Sequence, residues 1–199
     1  MTDVCFRRLM RLCLASNSQR RMVMLSDRFE TVAQEGLDGV DETPPIGTVD
    51  HQVLTICRRK AAAVDVEQDG VVVVVADTMI ADPDDMSVSL GKPRDVAQAA
   101  SMLVRLQGRR HQVWTATGVH ALGAWTFWCE AATVSFPEFS TDVLDELLQS
   151  GSWKGKAGGY DLHGAMGEHA RLVDGEACAV LGPARGAFES PKGLHPALC

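Results

Sequence analysis

Short apolar runs and segments of helical periodicity alternate along the chain and predict a mixed α/β protein. The clearest element is residues 71–75, five consecutive valines that are typical of a strand buried on both faces. Residues 12–15 predict an earlier strand, after which small polar residues lead into an amphipathic segment. Ser16 or Ser18 would cap the helix that this segment predicts over residues 19–28.

Apolar positions three and four residues apart predict three more helices. The first spans residues 48–64, and the third follows Ser140 as its cap and runs to residue 148. The second begins after Asp95, which would cap it, and ends at Gly108. Its apolar stripe consists of Val96, Ala99, Ala100, Leu103 and Leu106.

Strand-like runs in the second half of the chain predict two hairpins. The first joins residues 111–122 to residues 125–136 through a Gly-Ala turn. The second joins residues 168–173 to residues 176–181 through an Asp-Gly turn. The acidic segment 82–89 predicts either a further hairpin tip or a solvated insertion.

Three segments lack helical or strand periodicity. Residues 35–47 are acidic and contain two consecutive prolines, which disfavour helix. Residues 151–167 are rich in glycine, so this loop is either mobile filler or a backbone built to approach a ligand closely. Prolines and glycines recur in residues 183–199, which predict an irregular tail.

The 199 residues fit a single domain with a core over about residues 12–182. The formal net charge of −7 argues against a protein that coats nucleic acid, although a local basic pocket is compatible with it. No apolar stretch reaches the roughly 18 residues of a membrane span, so we expect a cytoplasmic protein without membrane association. Six scattered cysteines lack zinc-site spacing, and we expect them to be free thiols.

Charged residues with complementary chemistry lie in loops and at predicted strand ends. Asp77 follows the valine strand, where open α/β sheets bind ligands, and the alternative is an aspartate that caps a turn. The helix start at residues 18–21 would offer free N–H groups and two guanidinium groups to an anion, unless Arg20 and Arg21 are ordinary surface charges.

Other candidates extend this pattern. The cations that could hold a polyphosphate are Arg20, Arg21, Lys60, Lys92 and Lys156. Glu42 and Asp77 are carboxylates that could hold a divalent metal. Hydrolysis of a phosphoanhydride needs both kinds of group, because developing charge on phosphate must be neutralised while a carboxylate positions or deprotonates water. A phosphate-binding P-loop is excluded as the means, since its Gly-x-x-x-x-Gly-Lys-Ser/Thr pattern is absent from the sequence.

Six short motifs follow one another along residues 12–182. They are Leu14-Ala15-Ser16-x-Ser18-x-Arg20-Arg21, Ala76-Asp77-Thr78, Gly91-Lys92-Pro93, Gly108-Arg109-Arg110-His111-x-Val113, Thr133-Val134-x-Phe136 and Lys156-Ala157-Gly158-Gly159-Tyr160. In this order they resemble the Maf family of nucleoside triphosphate pyrophosphatases. The resemblance implies an elongated mixed α/β fold of the inosine-triphosphatase kind, with two lobes around a central cleft.

The resemblance also implies an activity and roles for individual residues. Family members cleave a nucleoside triphosphate between the α- and β-phosphates with Mg²⁺ or Mn²⁺, and a homodimer is compatible with the family. Asp77 would be catalytic base or metal ligand, Glu42 the second carboxylate and metal ligand, and Lys92 a catalytic residue that contacts phosphate. The further phosphate contacts would be Ser16, Arg21, Lys60 and Lys156. Arg20 and Thr78 match the branch that prefers dTTP and UTP.

The chain departs from the family pattern at positions that bear on function. The usual Tyr-Gly-Ile-Gln-Gly is Tyr160-Asp161-Leu162-His163-Gly164 here. His163 therefore stands at a glutamine position that helps to read the base, which makes it a further substrate-binding candidate. Neutral imidazole can donate or accept one hydrogen bond, but it cannot present glutamine's paired donor and acceptor. A proline at the start of the first helix is also replaced, by Gln19.

Some alternatives stay open at this stage. Asp41 and Glu35 compete with Glu42 as the second carboxylate. The alternative functions are a pyrophosphatase for modified or noncanonical nucleotides and a nucleotide-binding regulator of cell division.

Overall fold

The apolar runs of the chain form a seven-stranded mixed sheet with helices packed against it, which confirms the mixed α/β class. A computed structural model describes residues 11–66, 70–189 and 194. In chain order, the strands and helices are β1 (Arg11–Ala15), α1 (Gln19–Ser26), β2 (Val32–Glu35), α2 (Val49–Ala62), β3 (Val71–Ala81), β4 (Ser89–Leu90), α3 (Val96–Leu106), β5 (Arg110–Ala121), β6 (Ala124–Ser135), α4 (Thr141–Gln149), β7 (Arg171–Asp174), α5 (Ala177–Leu181) and α6 (Gly186–Glu189). Short 3₁₀ turns lie at Ala157–Gly159 and Ala165–Glu168.

The strand order is β2-β1-β3-β5-β6-β7, with β4 paired to the end of β3. β1 runs parallel to both of its neighbours, and the remaining pairings are antiparallel. β2 is a short strand that the sequence pattern did not predict. None of the helices in the described ranges is long and apolar enough to cross a membrane.

One edge of β3 carries a gap between two neighbouring strands. β1 pairs with this edge as far as Leu14 opposite Val74, and β4 takes up the same edge at Ile80 opposite Leu90. β5 covers the other edge from Val73 to Ile80. Within the described chain, the β3 backbone between the two pairings therefore has a strand on one side alone.

This gap corrects the predicted position of Asp77. The strand predicted over residues 71–75 continues to Ala81, so Asp77 lies inside β3 and not at its carboxyl end. The reason is that pairing with β5 continues past the valines, with Asp77 opposite Ala116 and Thr78 opposite Thr115. The neighbouring strand β1 ends before it reaches Asp77 and Thr78, so these two side chains lie beside the gap.

The first predicted hairpin is confirmed, since β5 and β6 pair along their whole length. Its turn is Leu122-Gly123, one residue earlier than predicted, and both residues have positive φ (52° and 79°). Such a pair matches the twist of adjacent strands. The acidic segment is a hairpin tip between β3 and β4, where Arg105 makes a bidentate ion pair with Asp82.

The second predicted hairpin is wrong. Its first arm forms β7, but its second arm is the helix α5. The apolar run Ala179 to Leu181 is buried against the sheet, and so short a run does not distinguish a buried strand from a buried helix. Thr115 fixes the helix on β5 by donating to the Ala179 carbonyl over 2.7 Å.

The tail predicted as irregular contains the short helix α6. It is anchored to the sheet because Ala184 N–H donates to the Thr117 hydroxyl over 2.8 Å and Gly186 N–H donates to Glu130 over 2.7 Å. Leu194 is buried as well. The rest of the predicted tail, residues 190–193 and 195–199, lies outside the described residues.

Three predicted helix caps are confirmed. Ser18 accepts a hydrogen bond from the N–H of Arg21, Asp95 from Gln98, and Ser140 from Val143. The helix that Ser18 caps ends at Ser26, two residues before its predicted end. Val96 is 52% exposed, so it does not belong to the packed stripe of α3.

The core is divided by the sheet. Val73 and Val75 of β3 belong to an apolar cluster with α2, whereas Val72 and Val74 belong to a cluster with β1 and α1. A third cluster joins α3, α4 and α5 to β5 and β6. Segments from all three clusters reach the gap in the β3 edge.

Candidate active site

A cavity of about 360 Å³ lies over the gap in β3. It is lined by polar and charged side chains from segments far apart in the sequence. These side chains are Ser16, Asn17, Ser18, Gln19, Arg20, Arg21, Glu42, Lys60, Asp77, Thr78, Lys92, Lys154 and Lys156.

The loop between β1 and α1 is fixed by its own polar groups. The Ser16 hydroxyl accepts from the N–H of Ser18 over 3.2 Å, and the Ser18 hydroxyl caps α1. The side chain of Gln34 on β2 donates to the Ser16 carbonyl over 2.7 Å. The helix start therefore has a defined orientation beside the cavity.

Arg21 is buried although it carries a charge, and 8% of its surface is exposed. Its guanidinium donates to the Thr78 hydroxyl over 2.9 Å and to the Ser16 hydroxyl over 3.3 Å, while its Nε has no hydrogen-bond partner in the described structure. Burial lowers the pKa of Arg21, and the charge of Asp77 opposes this effect. Arg21 thus offers a positive charge that is held by neutral oxygens.

A chain of hydrogen bonds, in which each donor is fixed by the next acceptor, holds Arg21 in position. Thr115 donates to the Ala179 carbonyl, so its oxygen must accept the proton of Thr78, whose oxygen lies 2.8 Å away. The Thr78 oxygen is then an acceptor for Arg21. The chain connects the cavity to helix α5.

Lys60 brings the two candidate carboxylates together. Its Nζ lies 2.7 Å from Asp77 Oδ1 and 2.9 Å from Glu42 Oε1, and Lys60 itself is 9% exposed. Burial raises the pKa of Glu42, but the hydrogen bond and charge of Lys60 outweigh it and the net pKa is lowered. Both carboxylates line the cavity.

The loop that carries Glu42 is held in place by Arg59. Arg59 donates to the backbone carbonyls of Asp41 and Thr43, which flank Glu42, over 3.2 and 2.7 Å. The Asp41 carboxylate pairs with the same Arg59, and Glu35 lies at the end of β2 outside the cavity lining. Of the three candidates, Glu42 is the carboxylate that reaches Lys60.

Arg20 and Lys156 meet at a third carboxylate. Lys156 Nζ lies 3.0 Å from Asp161 Oδ2, and Arg20 Nη1 lies 3.5 Å from Asp161 Oδ1. Burial raises the pKa of Asp161, but the hydrogen bond from Lys156 and the charge of Arg20 give a net lowering. Asp161 therefore joins helix α1 to the glycine-rich loop.

That loop is anchored at two further points. Gly158 N–H donates to the Gly91 carbonyl over 3.0 Å, which places the segments of Lys92 and Lys156 side by side. The Tyr160 hydroxyl lies 2.9 Å from Nε2 of His111 in the core. Burial lowers the pKa of His111 to about 4.

The sequence as a whole matches a known family. The family model described as Maf-like protein covers residues 11–184. The chain belongs to the Maf family. Among curated relatives, the dTTP/UTP pyrophosphatase of Pyrococcus horikoshii is 31% identical over 87% of this Maf chain and 90% of its own. The protein of the same name from Hyphomonas neptunium is 34% identical over 86% of this chain and 88% of its own.

Among solved structures, the Staphylococcus aureus Ham1 protein aligns with a TM-score of 0.40 and 12% identity over 63% of this chain and 71% of that one. The assignment to the Maf family rests on the sequence matches and not on this distant likeness.

The structure brings together most of the residues that the Maf motifs singled out. Those that line this cavity are Ser16, Arg20, Arg21, Glu42, Lys60, Asp77, Thr78, Lys92 and Lys156. His163 does not join them: it is exposed, outside the cavity lining, and its N–H donates to Asp161. The contribution of His163 to base recognition, predicted from its place in the motif, therefore has no support in this geometry.

Several residues around the cavity of the Maf chain were not predicted as site residues, among them Asp161, Arg59 and Thr115. Asp161 stands where the usual motif has a glycine, and this departure was the signal that could have revealed it. Arg59 lies in a basic helical segment that is typical of a solvated face, and Thr115 is a single hydroxyl within a strand. Local sequence does not reveal that these side chains position the residues that line the cavity.

Asp77 and Glu42 are the carboxylates of the cavity that could hold a divalent cation. Both carboxylates contact the ammonium of Lys60 through one oxygen each. Within the described ranges no cluster of three or more His, Cys, Asp or Glu side chains could hold a metal ion. Two carboxylates nonetheless fit Mg²⁺ or Mn²⁺, because Mg²⁺ is usually held by one or two carboxylates together with water and substrate phosphates.

Proposed function

We propose that this Maf chain hydrolyses nucleoside triphosphates to a nucleoside monophosphate and pyrophosphate. The observation that carries the proposal is the contact of Lys60 with both Asp77 and Glu42 in a cavity whose other charged groups are cations. Hydrolysis of a phosphoanhydride needs both carboxylates and cations, and this cavity holds both. The names of the curated relatives support the same reaction.

The cations have an evident role toward a triphosphate. Arg21, Lys92 and Lys156 line the cavity and can neutralise the charge of the phosphate oxygens. Arg21 is the best held of these groups, because Ser16 and Thr78 fix its guanidinium. Little reorganisation is then needed when a phosphate binds, which favours stabilisation of the transition state.

Asp77 can accept a proton from a water molecule that attacks the α-phosphorus. The bond from the α-phosphorus to the bridging oxygen breaks, and pyrophosphate leaves with that oxygen. Lys60 Nζ lies 2.7 Å from Asp77 Oδ1 and fixes the position of this carboxylate. A divalent cation held by Asp77 and Glu42 would supply neutralisation of phosphate charge and activation of water.

The finer proposal is that dTTP and UTP are the preferred substrates. It is supported by the names of the relatives and by the presence of Arg20 and Thr78 at the positions typical of that branch. In this chain the Thr78 hydroxyl is engaged by Arg21 and Thr115. Thr78 therefore acts toward substrate through Arg21.

The experiment is a product analysis with purified protein, Mg²⁺ or Mn²⁺, and a panel of canonical and modified nucleoside triphosphates. We expect monophosphate and pyrophosphate in equal amounts, with the highest kcat/KM for dTTP and UTP. Asp77→Asn should lower kcat by about a hundredfold or more, as expected for loss of a general base. Preference for a modified nucleotide would contradict the proposed specificity.

The matched control is Asp145→Asn, which removes the same charge from the exposed surface of helix α4. It should leave kcat and KM unchanged. Release of orthophosphate, or tight binding of triphosphate without turnover, would overturn the proposed reaction, and the second result would favour a regulatory role.

A further inference from the structure

Asp161 is a carboxylate placed where the cavity is expected to need positive charge. Each of its oxygens faces one cation of the cavity wall, Lys156 at 3.0 Å and Arg20 at 3.5 Å. Both cations line the cavity, whereas Asp161 is not part of the lining. The two positive charges of the lining therefore share one negative charge that does not itself line the cavity.

A backbone N–H of the same loop holds the Asp161 carboxylate in place. Its Oδ1 accepts a hydrogen bond from the N–H of His163 over 3.1 Å, and 14% of the side chain is exposed. The loop that carries it is anchored by the contact of Tyr160 with His111. An anion bound in the cavity would therefore compete with a fixed carboxylate for Lys156 and Arg20.

The other charges of the cavity are arranged differently. The carboxylates beside Lys60 line the cavity themselves, and the guanidinium of Arg21 is held by neutral hydroxyl groups. Asp161 thus opposes phosphate binding without touching the ligand. Coulomb repulsion from its charge acts on every phosphate group, and of the two products it acts more strongly on pyrophosphate, which carries the larger negative charge.

We propose that Asp161 is a built-in counter-anion that weakens the hold of Arg20 and Lys156 on phosphate and so promotes the release of pyrophosphate. The effect on product release rests on the proposed function. The weakening of the anion site by Asp161 does not depend on whether the protein hydrolyses nucleotides. Asp161 acts through the two cations and is not itself a catalytic residue.

The first test is calorimetric titration of the purified wild-type protein, Asp161→Asn and Asp145→Asn with inorganic pyrophosphate. In Asp161→Asn, the new amide keeps an oxygen acceptor for the N–H of His163 but lacks the charge. We expect this variant to bind pyrophosphate about fivefold more tightly, the scale of one partly exposed ion pair. Asp145→Asn should bind as the wild type does, because its lost charge is remote from the cavity.

A gain in affinity is a result that a merely structural role for Asp161 would not give, since structural damage weakens binding. Asp161→Ser provides a second variant if the asparagine protein does not fold. In a Lys156→Gln background, the gain should be smaller, because one of the two cations through which Asp161 acts has been removed. Unchanged or weaker binding of pyrophosphate by Asp161→Asn, or a wild-type protein that binds none, would overturn the inference.

Kinetics separate this inference from the proposed function. With dTTP as substrate, Asp161→Asn should show a lower inhibition constant for pyrophosphate and a lower KM. A wild-type protein without hydrolysis would refute the proposed function, whereas the shift in pyrophosphate affinity would still stand. Normal hydrolysis with an unshifted inhibition constant would refute the role of Asp161 and leave the proposed function intact.

Discussion

The hydroxyl groups of Thr78 and Thr115 lie 2.8 Å apart on paired strands, and together they decide where Arg21 points. The Thr115 proton is committed to the Ala179 carbonyl, so the Thr78 proton is committed to Thr115. The remaining lone pairs of Thr78 face the guanidinium of Arg21. A phosphate ligand in the cavity is thus linked to helix α5 through two threonines.

Thr115→Val should therefore affect binding from outside the cavity lining. Valine has the same shape but accepts no hydrogen bond, so the Thr78 hydroxyl is freed to turn its proton toward Arg21. We expect a loss of about 1–2 kcal/mol in the free energy of unfolding. We also expect a KM for nucleoside triphosphate raised about tenfold, as for the loss of one charge-assisted hydrogen bond. Denaturant titration and steady-state kinetics measure these effects.

Thr117→Val is the matched control for this prediction. It removes the acceptor of Ala184 N–H two residues along the same strand, but it leaves Arg21 and its partners untouched. A similar loss of stability with an unchanged KM is expected. Equal KM changes in the two variants would show that general loosening of the carboxyl-terminal segment is responsible.

Glu42→Gln and Asp41→Asn distinguish the neighbouring carboxylates. Glu42 contacts Lys60 inside the cavity, whereas Asp41 pairs with Arg59 at the surface. We expect Glu42→Gln to lower kcat and to raise the Mg²⁺ concentration needed for half-maximal rate, each by about tenfold or more. Asp41→Asn should change both quantities by less than about threefold. Titration of activity with Mg²⁺ at saturating substrate measures both, and the reverse order of effects would identify Asp41 as the second carboxylate.

His111 should make the fold sensitive to acid. Burial lowers the pKa of His111 to about 4, below its ordinary value of 6.5, so the unfolded chain binds the proton more readily than the folded chain. The stability due to neutral His111 is complete above pH 6.5 and is lost as pH falls toward 4. The loss is about 3 kcal/mol at most. Denaturant titrations between about pH 4 and pH 7 measure it.

The variant for this test is His111→Phe combined with Tyr160→Phe, which removes the histidine together with the hydroxyl that faces it. In the double variant, the free energy of unfolding should depend less steeply on pH, by the amount that corresponds to the uptake of one proton. An undiminished slope in the double variant would mean that other groups cause the acid sensitivity.

Gly182→Ala should damage the site through Arg21. A Cβ at this position would lie 2.9 Å from Arg21 Nε, and Gly182 has a φ of 62°. We expect a loss of more than about 2 kcal/mol in stability, together with a raised KM, because strain and displacement of Arg21 add. Gly123→Ala is the control, since it has a φ of 79° and open space around it. It should cost about 1 kcal/mol and leave KM unchanged.

The sequence pattern predicted the elements that depend on local signals. The caps Ser18, Asp95 and Ser140 are local hydrogen bonds, and the long hairpin of β5 and β6 combines two strand-like runs with a short turn. The motif resemblance predicted most of the residues that meet in the cavity. Their roles in binding and catalysis stay predictions until the variants are measured.

What the sequence did not predict depends on contacts between distant segments. Asp77 lies within β3 because β5 continues to pair beyond the valines, and the valine run itself gives no sign of this. Helix α5 is helical because the face of β5 receives it, while its five apolar residues are compatible with a strand. His163 lies outside the cavity lining, with its N–H bonded to Asp161, which its position in the motif gave no reason to expect; its role in base recognition stays a prediction.

The gap in the edge of β3 has a consequence for local dynamics. Amide groups that point into the gap lack the strand partner that protects their neighbours, so we expect their hydrogen exchange with water to be faster than in the paired parts of β3. A nucleotide seated over the gap would shield them and slow that exchange. Hydrogen exchange at the gap, measured peptide by peptide in the intact protein, would therefore report whether a nucleotide is bound.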